Sequence, residues 1–368
     1  MREYLLVWLI AVAVTYLAAS LARRYAFRFD AVAVVRDRDV HTRPIPYFGG
    51  LAMLAGTTAA FIAAANLPWL GSFNLVRHDT WSVFWAATMI ALVGAIDDML
   101  ELGALAKLSG QALAAGLVVA NGVRFYWIPL PGRIISLDPV ASIVMAVFVI
   151  LLCVNAINLV DGLDGLAAGV VAIGASAFFV YAYLLSFEHD LVRATTASLI
   201  SVVVVAVCVG FLPHNFHRAR MFMGDSGSML LGFLLATSLI SLTGQIDPAA
   251  LSSTGSDFLG AYLPLILPIA VMALPFLDLV MAYVRRTVAG KLWFEADKAH
   301  LHHRMMNLGH SHRNTVLLLW LWSAIVAYGM VGVGIWGQWW NYALIATAAT
   351  LAGALTWVLP RVRGRRGD

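Results

Sequence analysis

The sequence predicts an all-α polytopic membrane protein of about eleven transmembrane helices (ten is the nearest alternative), with its N-terminus outside and its C-terminus cytoplasmic. Three observations predict it. The 368 residues are 61% hydrophobic, with mean hydropathy +0.83. Only 12% are charged, about half the ~25% usual in soluble domains. Apolar runs of the length needed to cross ~30 Å of hydrocarbon as a helix recur along the whole chain.

The runs span about 4–22, 48–67, 81–96, 108–123, 140–154, 165–187, 192–212, 228–243, 261–284, 315–336 and 341–359. The third, fourth, fifth and eighth are short, so their ends are soft. Helices follow because the backbone must satisfy its own hydrogen bonds in lipid, and no period-two alternation supports a barrel. With the N-terminus outside, 19 of the 24 Lys and Arg fall on the inner side, leaving Arg2, Arg77, Arg124, Arg133 and Arg193 outside. That bias fixes the orientation. It also accounts for the basic isoelectric point without nucleic acid, for which no aromatic-interleaved basic stripe exists. Arg23-Arg24 follow the first run where a signal peptide would carry small residues, so that run is expected to be a helix of the mature chain. Cys153 and Cys208 lie inside apolar runs, which argues against a disulfide framework. With no repeat or linker, residues 1–368 read as a single integral membrane domain, with a long cytoplasmic loop at 285–314.

The same topology gathers carboxylates at inner helix ends. In "GAIDDMLELGALAKLSGQ" (94–111), Asp97 and Asp98 close an apolar run, where they oppose the helix dipole and cost stability unless a proton or a cation, such as Lys107 or a substrate metal, neutralises them; an ordinary interfacial acid pair is the plainer alternative. "NAINLVDGLDGLAAG" (155–169) spaces Asn155, Asn158, Asp161 and Asp164 by three, on roughly one helical face, with Gly162 and Gly165 allowing a turn. Turn and cap chemistry explains one Asn and one Asp there, not four. Hard oxygens of this kind suit Mg²⁺ and nucleotide edges.

"FMGDSGSMLLG" (222–232) reads either as a phosphate-attracting helix start with a metal ligand at Asp225, or as a plain N-cap. "FEADKAHLHHRMMNLGHSHR" (294–313) places His300, His302, His303 and Arg304 together. No thiolate or H-E-x-x-H spacing accompanies them, so oxygen binding competes well with zinc. His310 and His312 are expected to be solvated. "HTRPIPYFGGLAM" (41–53) offers Arg43 to an anion or nucleotide.

In this order, "DD" at 97–98, "NAINLVDGLDGLAAG", "FMGDSGSMLLG" and "HLHH" at 300–303 resemble the polyprenyl-phosphate N-acetylhexosamine-1-phosphate transferases, of glycosyltransferase family 4 type. The resemblance covers about residues 36–313. "RDVHTRPIPYFGGLAM" is most similar to the actinobacterial branch that transfers GlcNAc-1-phosphate to decaprenyl phosphate. The broken run His300-Leu301-His302-His303 departs from the three consecutive histidines of the branch acting on UDP-MurNAc-pentapeptide.

The resemblance implies UDP-GlcNAc and a polyprenyl phosphate as substrates, polyprenyl-diphospho-GlcNAc and UMP as products, and Mg²⁺ (or Mn²⁺) as cofactor. It also implies a multi-pass protein of the bacterial plasma membrane, compatible with a homodimer, acting at the start of a cell-envelope polysaccharide. Carried residue by residue, it makes Asp97 and Asp98 the catalytic pair that orients or deprotonates the lipid phosphate. Asp225 and Asn158 become metal ligands. Asp161, Asp164, Asn155 and Gly162 contact the nucleotide, and Lys107, His300, His302, His303, Arg304 and Arg43 hold phosphate and sugar. A secondary transporter is the rival class, but its site would lie near the bilayer midplane rather than at one face.

Overall fold

The computed structural model describes residues 1–28, 45–130, 133–188, 192–243, 266–267, 269–288, 290 and 300–364. Its helices are α1 (Arg2–Arg28), α2 (Gly49–Asn66), α3 (Asn74–Leu100), α4 (Ala104–Ala120), α5 (Pro139–Val160), α6 (Leu166–Glu188), α7 (Val192–Asn215) and α8 (Gly224–Thr243). They continue with α9 (Ala273–Val288), α10 (Leu301–Asn307), α11 (His312–Trp336) and α12 (Trp339–Gly364). Among the described residues, nine helices are long and apolar enough to cross a membrane: all but α4, α9 and α10. The seventeen-residue α4 is also apolar, and at 1.5 Å per residue it reaches ~25 Å. Ten of the expected runs coincide with α1–α8, α11 and α12. The run at 261–284 lies partly outside the described residues, and its described end falls in α9.

One feature departs from an all-α reading. Strand β1 (Trp127–Leu130) pairs antiparallel with β2 (Arg133–Ser136), Trp127 facing Ser136 and Leu130 facing Arg133. Four-residue strands give too few alternations to register against the apolar helices on either side, although Pro131-Gly132 is a turn dipeptide.

The polar ends of the helices also run beyond the hydropathy boundaries. α3 begins at Asn74 and includes Asp97 and Asp98 in its last turn, and α5 carries Asn155 and Asn158 within it. Backbone hydrogen bonding continues past the apolar stretch as long as nothing breaks it. α5 starts where Pro139 occupies its first position and the Asp138 side chain accepts the N–H groups of Val140 and Ala141 at 2.9 and 3.0 Å.

At the centre stands α8, buried at every residue from Ser226 to Thr243. It is apolar or small all round, as a helix enclosed by others must be. α2, α3, α5 and α7 pack directly on it, while α1 packs on α2 and α7, and α11 on α6. α9 is one-sided in the opposite sense to a soluble helix. It buries Pro275, Asp278 and Ala282 and exposes Leu277, Val280, Tyr283 and Val288. In lipid the apolar face points outward and a lone carboxylate inward.

Candidate active site

The first turn of α8 is where four helices bring their polar residues together. Asp98, at the end of α3, accepts the backbone N–H of Asp225 on one carboxylate oxygen (2.7 Å) and that of Ser226 on the other (3.2 Å). An acid that opposes the dipole of its own helix C-terminus thereby complements the N-terminus of another. Asp97 accepts the backbone N–H of Leu102 on Oδ1 at 2.8 Å and the Lys107 ammonium on Oδ2 at 2.9 Å. The same ammonium, from the first turn of α4, is paired with Asp225 Oδ2. Asn158 of α5 donates from Nδ2 to Asp225 Oδ1 at 2.6 Å and to Ser228 Oγ at 2.9 Å. The expected pairing of Lys107 with the Asp97-Asp98 stretch therefore extends across the bundle to Asp225.

The loop before α2 docks on the same turn. Phe222 N donates to Pro46 O at 3.0 Å, Gly49 N to Phe222 O at 3.1 Å, and Gly50 N to Met223 O at 2.9 Å. Arg43 itself lies outside the described residues.

Asp161 follows directly on α5. Burial first, then the charges of Asp225, Asp98 and Asp164, push its carboxyl up to about 8. The cluster is thus rich in carboxylates. Among the described residues, the ion pair that relieves it is made by Lys107. Such a donor set, all hard oxygens converging on one ammonium, fits a divalent cation such as Mg²⁺. No group of three or more His, Cys, Asp or Glu with metal-binding geometry stands among the described residues, so a metal would take the remaining donors from Asn158 or from its substrates.

The other members of the N-x-x-N-x-x-D-x-x-D pattern have different surroundings. Asp164 is buried and accepts the backbone N–H of Ala219 at 2.9 Å. Together with Asn215, which accepts from Gly165 N (2.9 Å) and donates to Met221 O (3.0 Å), it lashes the turn after α5 to the α7–α8 loop. Asn155 sits one turn deeper, donating to Gln111 Oε1 at 2.8 Å. Gly162 faces the histidine segment: a Cβ there would lie 2.6 Å from the imidazole of His302.

That segment is anchored by a residue to which the sequence assigned no role. Asp278, buried on α9, accepts Leu301 N–H at 3.0 Å and sits 3.2 Å from His300 Nδ1. It caps α10 and sets the His300 tautomer with its proton on Nδ1. A single acid inside "ALPFLDLVMAYVRR" was the available signal. The rings of His300 and His302 stack at 5.7 Å and those of His302 and His303 lie 4.3 Å apart. Burial, then the like charges of His303 and His300, hold His302 down to about 4, so it is neutral at pH 7. Arg304 is exposed on the same helix. His310, expected in solvent, is buried instead, with Nε2 2.8 Å from the Thr356 carbonyl of α12. The Gly-His turn between α10 and α11 is where the last helix closes over the chain, which hydropathy alone does not register.

The chain is similar to known proteins along most of its length. The family described as Glycosyl transferase family 4 matches residues 80–243, from α3 to the end of α8. The decaprenyl-phosphate N-acetylglucosaminephosphotransferase of Mycobacterium leprae is 43% identical over 99% of this chain and 92% of its own. The protein of the same name from Mycolicibacterium smegmatis is 44% identical over 89% and 82%. The phospho-N-acetylmuramoyl-pentapeptide-transferase of Desulforudis audaxviator is 30% identical over 78% and 85%.

Proposed function

The chain belongs to the polyprenyl-phosphate N-acetylhexosamine-1-phosphate transferases of glycosyl transferase family 4, and from that premise we propose that it transfers GlcNAc-1-phosphate from UDP-GlcNAc to a polyprenyl phosphate, decaprenyl phosphate in particular. The products are polyprenyl-diphospho-GlcNAc and UMP. Identity of 43–44% to relatives named for N-acetylglucosamine, against 30% to one named for the muramoyl-pentapeptide, supports the GlcNAc donor.

One observation carries the mechanism: Asp97, Asp225 and Asn158, from three helices, converge with Lys107 at the helix ends. A lipid-borne phosphate and a soluble nucleotide sugar can meet only at such an interface. Asp225, Asp97 and the carbonyl oxygen of Asn158 would hold Mg²⁺, with Mn²⁺ a substitute. When bound, that ion neutralises charge on the diphosphate and on the departing UMP. Asn158 fixes the rotamer of Asp225 through its amide nitrogen. Lys107 swings from the carboxylates to the lipid phosphate as the substrates enter. Asp98 holds the first turn of α8 in place and is a positioning residue. Asp161 and Gly162 face the nucleotide, His302, His303 and Arg304 donate to diphosphate and sugar oxygens, and His300, whose Nδ1 proton is turned to Asp278, accepts a sugar hydroxyl on Nε2. The lipid phosphate oxygen attacks the sugar-bearing phosphorus in line, forming one P–O bond as the bond to UMP breaks. This direct route needs no nucleophilic carboxylate, and Asp98, both of whose oxygens accept backbone N–H groups at the start of α8, is held in its positioning role.

Eleven spans, an outside N-terminus and a site on the cytoplasmic face of the bacterial plasma membrane complete the reading. Asp225→Asn is expected to abolish UMP release from UDP-GlcNAc in membranes, by at least ~10³-fold, at unchanged protein level. Full activity in that variant overturns the assignment.

A further inference from the structure

One helical turn beneath Lys107, Asn158 and Asp225, the same three helices meet again through a second polar set. Gln111 is four residues after Lys107 on α4, Asn155 is three before Asn158 on α5, and Met229 is four after Asp225 on α8. On one helix, residues three and four apart share a face, so each member of the lower set lies under its counterpart in the upper one. Asn155 Nδ2 donates to Gln111 Oε1 at 2.8 Å and to its own helix at Leu151 O at 2.8 Å. Gln111 Nε2 in turn donates to Met229 Sδ at 3.4 Å. Gln111 is fully buried, as is Met229. An amide enclosed this deeply in an otherwise apolar bundle is costly unless its partners are in place.

We propose that the Gln111–Asn155 amide pair is a positioning layer, which fixes the rotation and height of α4 and α5 against α8 and thereby sets Lys107 and Asn158 on Asp225. This gives Asn155, expected from the sequence to touch the nucleotide, a task inside the bundle. The argument is one of register. Apolar side chains in a lipid-embedded bundle pack almost equally well after a small slide or rotation, because they carry no directional preference. An amide-to-amide bond does not: a shift of one helix by half a residue's rise breaks it. The layer therefore confers a single registry on three helices whose next turn carries reactive groups, and a misplacement of ~1 Å there costs catalysis heavily.

The inference rests on the function proposed above, and the test separates the two. UMP release from UDP-GlcNAc and the melting temperature in detergent are measured for the wild type, Gln111→Leu, Asn155→Leu, and the swapped pair Gln111→Asn/Asn155→Gln. Each Leu variant is expected to lower kcat about tenfold or more. The KM for UDP-GlcNAc is expected to change less than about twofold, because the nucleotide contacts lie elsewhere. The melting temperature is expected to fall modestly, since each Leu variant leaves one buried amide without its partner, but kcat measured well below the transition, with the protein fully folded, is expected to show the loss all the same. The swapped pair, which restores an amide-to-amide link, is expected to recover most of the lost kcat. Wild-type kcat in Gln111→Leu overturns the positioning layer, as does a loss that appears only near the melting transition. A wild type that releases no UMP from UDP-GlcNAc overturns the proposed function and this inference with it.

Discussion

Lys107 joins Asp97 and Asp225 across two helices, and it is only partly exposed. Removing one partner from such a cluster leaves like charges facing each other in a poorly solvated place. Lys107→Met is expected to cut UMP release by about 100-fold or more, and a UMP assay on membranes with matched protein level reads it directly. His302 makes a second prediction through its proton. Its imidazole is held down to about 4 in the folded protein, against ~6.5 in an open chain. Between those values the unfolded segment binds a proton that the folded one does not, so stability is complete above about pH 6.5. It is then lost as pH falls towards 4, by up to about 3 kcal/mol. Amide-exchange protection of residues 301–306, corrected for intrinsic rates, is expected to fall across that window in the wild type and much less in His302→Gln. At this scale the sequence was informative about residue types and weaker about tasks. Asp98, Asp164 and Asn155 were all legible as polar residues out of place. Their long-range partners, from 44 to 128 residues away, were not.

Among the elements, α3 and α8 make the contact on which the site depends, and it is a close one. A Cβ on Gly94 would come within 2.5 Å of the backbone N and Cα of Ser226, atoms that cannot move without moving α8. Gly94→Ala is therefore expected to push α3 away, weaken the bonds from Asp98 to the first turn of α8, and destabilise the protein by about 1–3 kcal/mol. A lower melting temperature in detergent, together with reduced UMP release, is the expected result. Gly116→Ala on α4, where a Cβ would meet nothing within 4 Å, is the control and is expected to be neutral or slightly stabilising. The helices themselves were legible because burial in lipid imposes long apolar runs. The hairpin was not, and neither was the length of α3 beyond its apolar part, since polar residues such as Asn74 and Asp97 extend a helix without any hydropathy signal.

For the molecule as a whole, α3 has its carboxylates at one end and the β1–β2 hairpin follows α4 towards the opposite end. The two are expected to lie on different sides of the membrane. Cys153 and Cys208 are buried, so single cysteines introduced elsewhere report cleanly. Glu101→Cys is expected to react with an impermeant maleimide only in inside-out vesicles, and Ser136→Cys only in intact cells; the reverse pattern would invert the proposed orientation. The sequence by itself determined that this is a multi-helix membrane protein, roughly where its helices run, and which four motifs carry its misplaced polar residues. Those properties are local, set by the hydrophobic length of each run and by residue types that lipid does not tolerate without purpose. Only the tertiary structure decided which of those polar residues face one another. It set Lys107 between Asp97 and Asp225, made Asp98 the cap of a distant helix, brought Asp278 beneath the histidines, and laid Gln111 and Asn155 under the site. Those pairings depend on the rotation and height of each helix against its neighbours, which side-chain packing and directional hydrogen bonds fix and which no single run of residues encodes.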